Sequence, residues 1–349
     1  MDAFFASLEE SYTPDFKGKP IVVGAEPKDG KGRGVVSTAN YKAREYGIRS
    51  ALPISRAWQL SEKAKSEGKE PAIFLPVDFE RYEKASAEIY EIIKKYSQSV
   101  EPASIDEFYF DLSFAKSYSK AEKICKEIKK DIKEKLKVTC SVGIAPNKLI
   151  AKISAGMKKP DGMNIVKEED AEKFLEPLSI REIPGIGPKT EQLLNGRGVK
   201  IVKDLKKFSI EQLYEALGKW GQELYFKVRG IDDSPIVEDR EVKSIGEQAT
   251  FQYDTLDAVY VGDVLEKMCR HVFRRFSNSG FKSFKTVAIS VRFSDFETKT
   301  SAKTLKDRTN SEKVFKIEAL KLLLPYLDAR KNPRRKLIRL IGVRLEKFL

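Results

Sequence analysis

Hydrophobic and polar residues follow two different periods along this chain, and these periods predict both helices and strands. The clearest helical segment spans residues 78–97, where Asp78 is placed to cap the first turn. Its apolar positions recur at helical spacing and are Phe79, Tyr82, Ile89, Ile92 and Ile93. Short apolar runs between such segments are typical of strands, so the pattern indicates an α+β protein.

The first two thirds of the chain predict several further elements. Residues 20–24 and 34–38 predict two short strands, joined by a turn rich in glycine and lysine. Further strands are expected near 105–112 and 137–144, and further helices at 40–46, 119–136 and 147–158. Near 165–180 short helices and glycine-rich turns replace the strands, which indicates a second kind of folding unit.

The last third predicts a compact unit after a charged linker. Its predicted elements are a strand at 244–253, a helix at 257–277, strands at 283–293 and 298–306, a helix at 311–327 and a strand at 336–346. This β-α-β-β-α-β order is typical of a ferredoxin-like unit.

Composition indicates a globular protein that is not bound to a membrane. Hydrophobic residues make up 41% and charged residues 34% of the 349 positions. No apolar run is long enough to span a bilayer, and the N-terminus lacks the pattern of a secretory signal. Cys125, Cys140 and Cys269 are scattered, so they fit neither a disulfide framework nor a zinc site. A reducing, cytoplasmic location is therefore expected.

The chain has a single histidine, His271, which we expect to be partly buried. One histidine excludes most histidine-ligated metal sites and most histidine general-base chemistry. A bound metal would have to be held by carboxylates, which favours Mg²⁺ with Mn²⁺ as a substitute.

Positive charge is concentrated at the C-terminal end. Residues 240–349 contain 24 Lys and Arg against 13 Asp and Glu, whereas residues 1–239 contain 41 against 39. Such a bias is expected of a module that binds nucleic-acid phosphates. A surface that only improves solubility is the alternative interpretation.

The segment Ser104–Glu107 places two carboxylates, Asp106 and Glu107, among apolar residues of high β propensity. Buried charge is costly unless it is compensated, and a divalent cation compensates it directly. Two-metal phosphoryl transfer uses such carboxylates. Because neighbouring residues of a regular strand face opposite ways, both can reach one site only if the backbone turns there. The alternative is an acidic edge of a hairpin.

Two further segments are suited to binding a triphosphate. Thr38 precedes a predicted helix on which Tyr41 and Arg44 lie three residues apart and share one face. A hydroxyl, a phenol and a guanidinium near a helix start can hold phosphate oxygens. Lys159 stands beside a predicted tight turn, where it could meet a β- or γ-phosphate. Each segment alone is also compatible with an ordinary surface.

The run 183–190, Ile-Pro-Gly-Ile-Gly-Pro-Lys-Thr, predicts a helix-hairpin-helix. Gly185 and Gly187 would let backbone N–H groups approach a DNA phosphate without reading bases, and Lys189 follows them. The run lacks the spacing of a Walker loop. A simple glycine turn between helices is the alternative, and a weaker turn of this kind is expected at 218–221.

Taken together, these segments resemble the Y-family of DNA polymerases, in its polymerase IV/kappa (DinB-like) branch. The resemblance covers nearly the whole chain and rests on six segments in the order of the family, namely MDAFFASLEE, RGVVSTANYKAREYGIRSALP, SIDE, VGIAPNKLIAKISAGMKKPDG, IPGIGPKT and KSIGEQATF. Six segments in order make this resemblance specific.

The resemblance implies a right-hand architecture with four domains. They are a catalytic palm at 1–5 and 73–165, fingers at 6–72, a helix-hairpin-helix thumb at 166–235, and a DNA-binding little finger at 244–349 after a linker at 236–243. The resemblance also implies low-fidelity DNA synthesis past damaged template bases, by nucleotidyl transfer from a dNTP to the 3′-OH of a primer, with two Mg²⁺ ions.

Residue roles are implied position by position. Asp106 and Glu107 would be the catalytic and metal-binding carboxylates, and Met1 would offer its carbonyl to the metal. Phe5 would be the steric gate that selects deoxynucleotides, and Val35 and Ser37 would lie over the templating pair. The remaining nucleotide-binding residues would be Phe4, Thr38, Tyr41, Arg44 and Lys159. DNA would be bound by Gly185, Gly187, Lys189 and Lys243.

One departure from the family concerns the first acidic residue. The motif of the family reads apolar-Asp-apolar-Asp-x-Phe-Phe, and the position of its first Asp, a metal ligand, would precede Met1. Asp2 matches the second acidic position, which is not expected to bind the metal. The first strand of the palm would be nearly absent, and a neighbouring strand would be left partly unpaired.

Two other functions stay open at this point. A non-catalytic DNA-binding protein would follow from an incomplete metal site. A nucleotidyl cyclase would share a palm-like sheet with carboxylates, although it has no use for a helix-hairpin-helix or a basic C-terminal unit. For the polymerase, the expected partners are primer-template DNA and dNTP, the protein would act as a monomer without a membrane, and a sliding clamp would have to bind through residues not present in this chain.

Overall fold

The computed structural model describes all residues from 1 to 349, which form two compact units. The N-terminal unit contains Met1–Gly24, Val36–Leu52 and Leu60–Asp239. The C-terminal unit contains Ala25–Val35, Pro53–Gln59 and Arg240–Leu349. None of the helices is both long and apolar enough to cross a membrane.

The first half of the N-terminal unit mixes helices and short strands. Its helices are α1 (Phe4–Tyr12), α2 (Tyr41–Glu45), α3 (Ile54–Ser66, whose first turns belong to the C-terminal unit), α4 (Phe79–Lys94), α5 (Tyr118–Leu136) and α6 (Lys148–Met157). Its strands are β1 (Ile21–Gly24), β2 (Val36–Ala39), β3 (Ile73–Leu75), β4 (Val100–Pro102), β5 (Phe108–Phe110), β6 (Val142–Ile144) and β7 (Met163–Ile165).

These strands form three small sheets. In the first, β1 lies between β2, which is antiparallel to it, and β3, which is parallel to it. Strands β4 and β5 form an antiparallel hairpin, and β6 and β7 form a parallel pair. The hairpin positions the predicted carboxylates, because residues 103–107 connect its two strands.

Helices α4 and α5 pack on one apolar core of the N-terminal unit. Asp78 caps α4 as predicted, since its side chain accepts a hydrogen bond from the amide of Arg81 at 3.1 Å, and such a cap contributes about 1 kcal/mol. Ser117 caps α5 in the same way. The buried side chains of both helices recur at helical spacing and are Tyr82, Ala85, Ile89, Ile92, Ile93, Ala121, Cys125, Ile128, Ile132 and Leu136.

The second half of the N-terminal unit consists of short helices, as the change in composition predicted. They are α7 (Ala171–Leu175), α8 (Pro188–Asn195), α9 (Val202–Leu205), α10 (Ile210–Leu217) and α11 (Lys219–Lys227). Gly218 separates α10 from α11 at φ 65°, a left-handed conformation that suits glycine. Between α11 and residue 243 there is neither helix nor strand.

The C-terminal unit has the predicted β-α-β-β-α-β order. Its elements are β8 (Ser244–Thr255), α12 (Ala258–Asn278), β9 (Phe284–Phe293), β10 (Thr298–Thr309), α13 (Glu312–Leu327) and β11 (Ile338–Glu346). The sheet order is β10-β9-β11-β8, and every neighbouring pair is antiparallel. The two helices pack on this sheet around a continuous apolar core.

Several predictions of local structure were wrong in detail. The strand expected near 105–112 is shorter, because only Phe108–Phe110 pairs with a neighbour. Phe79 was expected on the apolar face of α4 but is 60% exposed, since it begins the helix beyond the edge of the core. His271 was expected to be partly buried, yet its side chain is 56% exposed and reaches only Glu247.

Candidate active site

The two predicted catalytic carboxylates lie where the β4–β5 hairpin turns. The amides of Ala103 and Ser104 both donate to the carbonyl of Glu107, at 2.9 and 3.1 Å, and so close the connection. This turn removes the difficulty raised by strand geometry, because Asp106 and Glu107 do not stand on a regular strand. Both residues are half-buried.

Each carboxylate already has a polar partner. The Ser104 hydroxyl donates to Asp106 Oδ1 at 2.9 Å. Lys152 Nζ, on α6, lies 2.5 Å from Glu107 Oε2, and both side chains keep about two fifths of their surface exposed. An exposed ion pair of this kind is weak, so Glu107 can exchange Lys152 for another cation at little expense in free energy.

The N-terminus of the chain lies against the same connection. The ammonium group of Met1 donates to the carbonyl of Asp106 at 2.6 Å. Burial lowers the pKa of this ammonium, and the nearby charge of Asp106 opposes part of that change. The Met1 carbonyl accepts a hydrogen bond from Lys159 Nζ at 3.4 Å. The predicted triphosphate lysine and the predicted carbonyl ligand are therefore neighbours.

A cavity of about 1060 Å³ brings four predicted site residues together, Met1, Asp106, Glu107 and Lys159. Strands β5 and β6, with helices α4 and α5, supply the largely apolar part of its lining. Lys152 also reaches this cavity. The lining of the cavity therefore combines apolar side chains with carboxylates and amines.

The oxygen atoms of Asp106, Glu107 and the Met1 carbonyl suit a divalent cation. Two carboxylates and one backbone carbonyl are the ligands that Mg²⁺ prefers. No group of three or more His, Cys, Asp or Glu side chains in the chain forms a complete protein cage. Mg²⁺ is commonly held by one or two carboxylates together with substrate phosphates, so this set fits a cation shared with a bound nucleotide.

Phe5 lies on α1 next to the start of the chain. Its ring stacks on the ring of Tyr82, with centroids 4.3 Å apart and planes inclined by 12°. The exposed ring of Phe79 meets Phe5 edge-on at 6.2 Å. Phe4 was expected to bind the nucleotide, but it is only 2% exposed and its ring packs in the core, so its side chain is not accessible to a nucleotide.

Three of the residues predicted to hold a triphosphate lie in β2 and in α2. Thr38 pairs with Val23 in the sheet, and Tyr41 is the first residue of α2. Asn40 caps this helix, its Oδ1 accepting from the amides of Ala43 and Ile21 at 3.0 Å each. The turn that carries Tyr41 and the neighbouring Arg44 is therefore anchored to β1.

The Tyr41 hydroxyl is buried and has no hydrogen-bond partner of acceptable geometry. The Arg44 guanidinium lies 4.6 Å from the centre of the Tyr41 ring, and its Nε donates to the Ala39 carbonyl at 2.9 Å. Burial, followed by the charge of Asp2, raises the pKa of Tyr41. An unsatisfied buried hydroxyl costs about 1–3 kcal/mol, which a bound oxygen acceptor would recover.

The run 183–190 of the predicted helix-hairpin-helix leads into the first turn of α8. Gly187 is its N-cap and Pro188 its first residue, an arrangement that suits a helix start. Gly185 has φ 100°, and a Cβ there would lie 3.0 Å from the Trp220 ring, so glycine is required. Lys189 is exposed on α8. Lys243 is exposed immediately before β8.

Sequence reasoning assigned no supporting role at the site to three side chains, although it placed Tyr82 on the apolar face of a helix and matched Asp2 to a position of the family motif. Lys152 pairs with Glu107, Tyr82 supports Phe5, and Asp2 is buried among hydrogen-bond donors. A signal existed only for Lys152, because Lys148 and Lys152 are four residues apart and share one face of a predicted helix. The contacts of Tyr82 and Asp2 join segments far apart in sequence, which periodicity does not report.

Three regions of the chain match known protein families. Residues 1–156 match the impB/mucB/samB family, and residues 242–349 match the C-terminal domain of that family. Residues 181–232 match the thumb domain of DNA polymerase-iota.

Similar proteins cover almost the whole chain. DNA polymerase IV 2 of Methanosarcina mazei is 39% identical over 349 residues, which is all of this chain and 90% of that protein. DNA polymerase IV of Methanoculleus marisnigri is 38% identical over 345 residues, which is 99% of this chain and 92% of that protein.

Solved structures also match the whole length of this chain. A Y-family DNA polymerase chimera of Dbh and Dpo4 covers all of this chain with a TM-score of 0.87 and 30% identity, and 97% of the chimera is matched. An insertion ternary complex of Dbh DNA polymerase covers all of this chain with a TM-score of 0.68 and 30% identity, again with 97% of that structure matched.

These findings together define a DNA-directed DNA polymerase. The chain belongs to the Y-family of DNA polymerases, and within it to the DNA polymerase IV group.

Proposed function

We propose that this chain extends a primer across damaged template bases, using the cavity beside Asp106 and Glu107 as its catalytic centre. The observation that carries this proposal is the meeting of both carboxylates with Met1 and Lys159 at one cavity. The primer 3′-OH would attack the α-phosphate of a dNTP and release pyrophosphate. The similarity to DNA polymerase IV of other organisms supports this reaction rather than the non-catalytic alternative.

The carboxylates of Asp106 and Glu107 and the carbonyl of Met1 would hold Mg²⁺, with Mn²⁺ as a substitute. Two such ions, when bound, would stabilise the negative charge that develops during phosphoryl transfer. Lys152 forms an ion pair with Glu107 in the structure, and this pair would break when Glu107 binds a cation.

The incoming nucleotide would lie between α1 and α2. Tyr41 and Arg44 would donate to its phosphate oxygens, which would satisfy the orphan hydroxyl of Tyr41. Thr38 and Lys159 would bind the same triphosphate from β2 and from the turn after α6. Phe5, held by the ring of Tyr82, would fill the space that a ribose 2′-OH needs.

DNA would be held through its phosphates rather than its bases. The backbone at Gly185 and Gly187 and the side chain of Lys189 would bind one stretch of phosphates. Lys243 and the positive charge of residues 240–349 would bind another. The short side chains of Val35 and Ser37 would lie over the templating pair and leave room there, so damaged bases would be tolerated and accuracy would be low.

Primer extension tests the proposal directly. The 349-residue chain is mixed with a primed template containing an abasic site, dNTPs and Mg²⁺, and products are resolved by length. We expect extension past the lesion by the wild-type chain and none by Asp106→Ala, while duplex binding of this variant stays unchanged. Asp15→Ala, at an exposed carboxylate that does not line this cavity, is the matched control and should extend normally. Normal extension by Asp106→Ala would disprove the assignment of the site.

A further inference from the structure

Asp2 is a buried carboxylate with an unusual set of partners. It is 1% exposed, and it lies next to the residues that we propose for metal binding. Its Oδ1 accepts a hydrogen bond from the Ser141 hydroxyl at 2.8 Å. Its Oδ2 accepts from the Thr139 hydroxyl at 3.0 Å and from the amide of Asp161 at 2.8 Å. Three donors compensate the burial of this charge.

The donors belong to two segments that are far from Asp2 in sequence. Thr139 and Ser141 precede β6, and Asp161 lies in the turn between α6 and β7. The Asp2 amide also donates to the Thr139 carbonyl at 3.1 Å. Ser141 extends the link, because its hydroxyl oxygen accepts from the amide of Gly162 at 3.3 Å. Asp2 therefore ties the start of the chain to the turn that carries Lys159.

This turn has little freedom of its own. Asp161 has φ 52°, and its carboxylate pairs with Lys129 at 2.9 Å and Lys133 at 3.3 Å. A Cβ on Gly162 would lie 1.8 Å from the Lys158 carbonyl, so only glycine fits there. The turn is thus a rigid support, and what fixes Asp161 also fixes the backbone of the nearby Lys159.

We propose that Asp2 is a positioning residue that sets the location of Lys159 relative to Met1 and does not itself bind the metal. Its carboxylate fixes both ends of the contact between Lys159 Nζ and the Met1 carbonyl. When the carboxylate is lost, Lys159 moves away from the triphosphate. The proposal rests on the proposed function, in which Lys159 binds that triphosphate.

The test compares four variants of the full chain, Asp2→Ala, Asp2→Asn, Lys159→Ala and the double variant Asp2→Ala with Lys159→Ala. Primer extension gives kcat and the KM for dNTP, and a magnesium titration gives the concentration for half-maximal rate. In Asp2→Ala, Lys159 would no longer donate to the charged phosphates, so we expect this variant to raise the KM for dNTP at least about tenfold, the effect of losing one hydrogen bond to a charged group. The magnesium midpoint should stay within about twofold of wild type.

Asp2→Asn and the double variant distinguish a positioning residue from a metal ligand. The carboxamide that Asp2→Asn introduces could accept from Thr139 and Asp161 through its oxygen and donate to the Ser141 hydroxyl, which accepts as well as donates. Asp2→Asn should therefore restore the KM to within about twofold of wild type, whereas a metal ligand would not tolerate this change. The double variant should be no worse than Lys159→Ala, because the two residues act as one unit.

The outcomes distinguish this proposal from the proposed function. A wild-type chain that does not extend a primer would contradict the proposed function. If the wild-type chain is active and Lys159→Ala leaves the KM unchanged, Asp2 does not act through Lys159. A raised magnesium midpoint for Asp2→Asn would show that Asp2 is a ligand. If circular dichroism shows that Asp2→Ala is unfolded, Ser141→Ala, which removes one of the three donors, is expected to raise the KM to a smaller extent, and an unchanged KM would overturn the proposal.

Discussion

The rings of Phe5 and Tyr82 stack with centroids 4.3 Å apart, and the Tyr82 hydroxyl donates to Glu9 Oε1 at 2.7 Å. Burial and this contact with Glu9 raise the pKa of Tyr82, so the phenol stays protonated and keeps donating. Glu9 is itself held by Arg81 at 3.3 Å. The ring of Phe5, the predicted steric gate, therefore packs on the ring of Tyr82, which is itself fixed by its hydrogen bond to Glu9.

Removal of the Phe5 ring should admit ribonucleotides. We expect Phe5→Ala to raise ribonucleotide incorporation relative to deoxynucleotide incorporation by at least about 10–100-fold, because a single methylene group in a pocket already changes discrimination by that much. The ratio of kcat/KM for the two sugars measures this effect. Phe114→Ala, at an exposed ring elsewhere in the N-terminal unit, is the control. An unchanged ratio for Phe5→Ala would mean that another group excludes the 2′-OH.

Tyr41 should contribute to nucleotide affinity and not to stability. Because its buried hydroxyl has no partner, Tyr41→Phe removes an unsatisfied group and should leave the thermal midpoint unchanged or raise it. A hydrogen bond to a charged group contributes about 1.5–3 kcal/mol, so the KM for dNTP should rise about 10-fold or more. A lower thermal midpoint with an unchanged KM would assign Tyr41 a structural role.

The ion pair between Glu101 and Lys148 should stabilise the N-terminal unit. Glu101 is fully buried, and its Oε2 accepts from Lys148 Nζ at 2.7 Å and from the amide of Val237 at 3.0 Å. Loss of one partner leaves an uncompensated charge, so Lys148→Met should lower the free energy of unfolding by about 3 kcal/mol. Urea denaturation measures this change.

Two controls accompany this measurement. Lys84→Met breaks an exposed pair with Glu80 and should change stability much less. The double variant Glu101→Gln with Lys148→Met removes both charges and should recover part of the loss. If Lys148→Met is as stable as wild type, the buried pair has no net stabilising effect.

The three cysteines should make the protein less stable at high pH. All three are buried and free, and burial raises the pKa of Cys125 and Cys269 to about 12 and that of Cys140 to about 11. The unfolded thiols ionise near pH 9, so the unfolded chain binds fewer protons above this pH. The stabilising effect is therefore complete below pH 9 and is lost as the pH rises towards 11 and 12.

Comparison with a variant isolates this effect from other titrating groups. Chemical denaturation of wild type between pH 8 and about 10.5 should show a steeper loss of stability than the variant with Cys125, Cys140 and Cys269 replaced by alanine. At pH 10 the raised pKa of each thiol should account for a loss of about 1 kcal/mol in the free energy of unfolding. Parallel curves for the two proteins would show that the folded thiols ionise normally.

Local sequence patterns determined most of the elements of this protein. The helical period of residues 78–97 and the capping by Asp78 were confirmed, as was the β-α-β-β-α-β order of the last third. The glycines before α8 also indicated the correct turn. These features depend on residues within a few positions of each other, whose backbone preferences and apolar spacing act locally.

The tertiary structure alone decided how the candidate site is assembled. Asp2 accepts hydrogen bonds from Thr139, Ser141 and Asp161, which follow it in the sequence by 137, 139 and 159 positions. Lys152 contacts Glu107, which precedes it by 45 positions. The turn at residues 103–107 places both carboxylates outside the regular strand. Phe79 is exposed because the core does not extend to the start of α4. Such contacts are set by the packing of segments distant in sequence, because hydrogen bonds and buried charges must be satisfied wherever the chain brings them together.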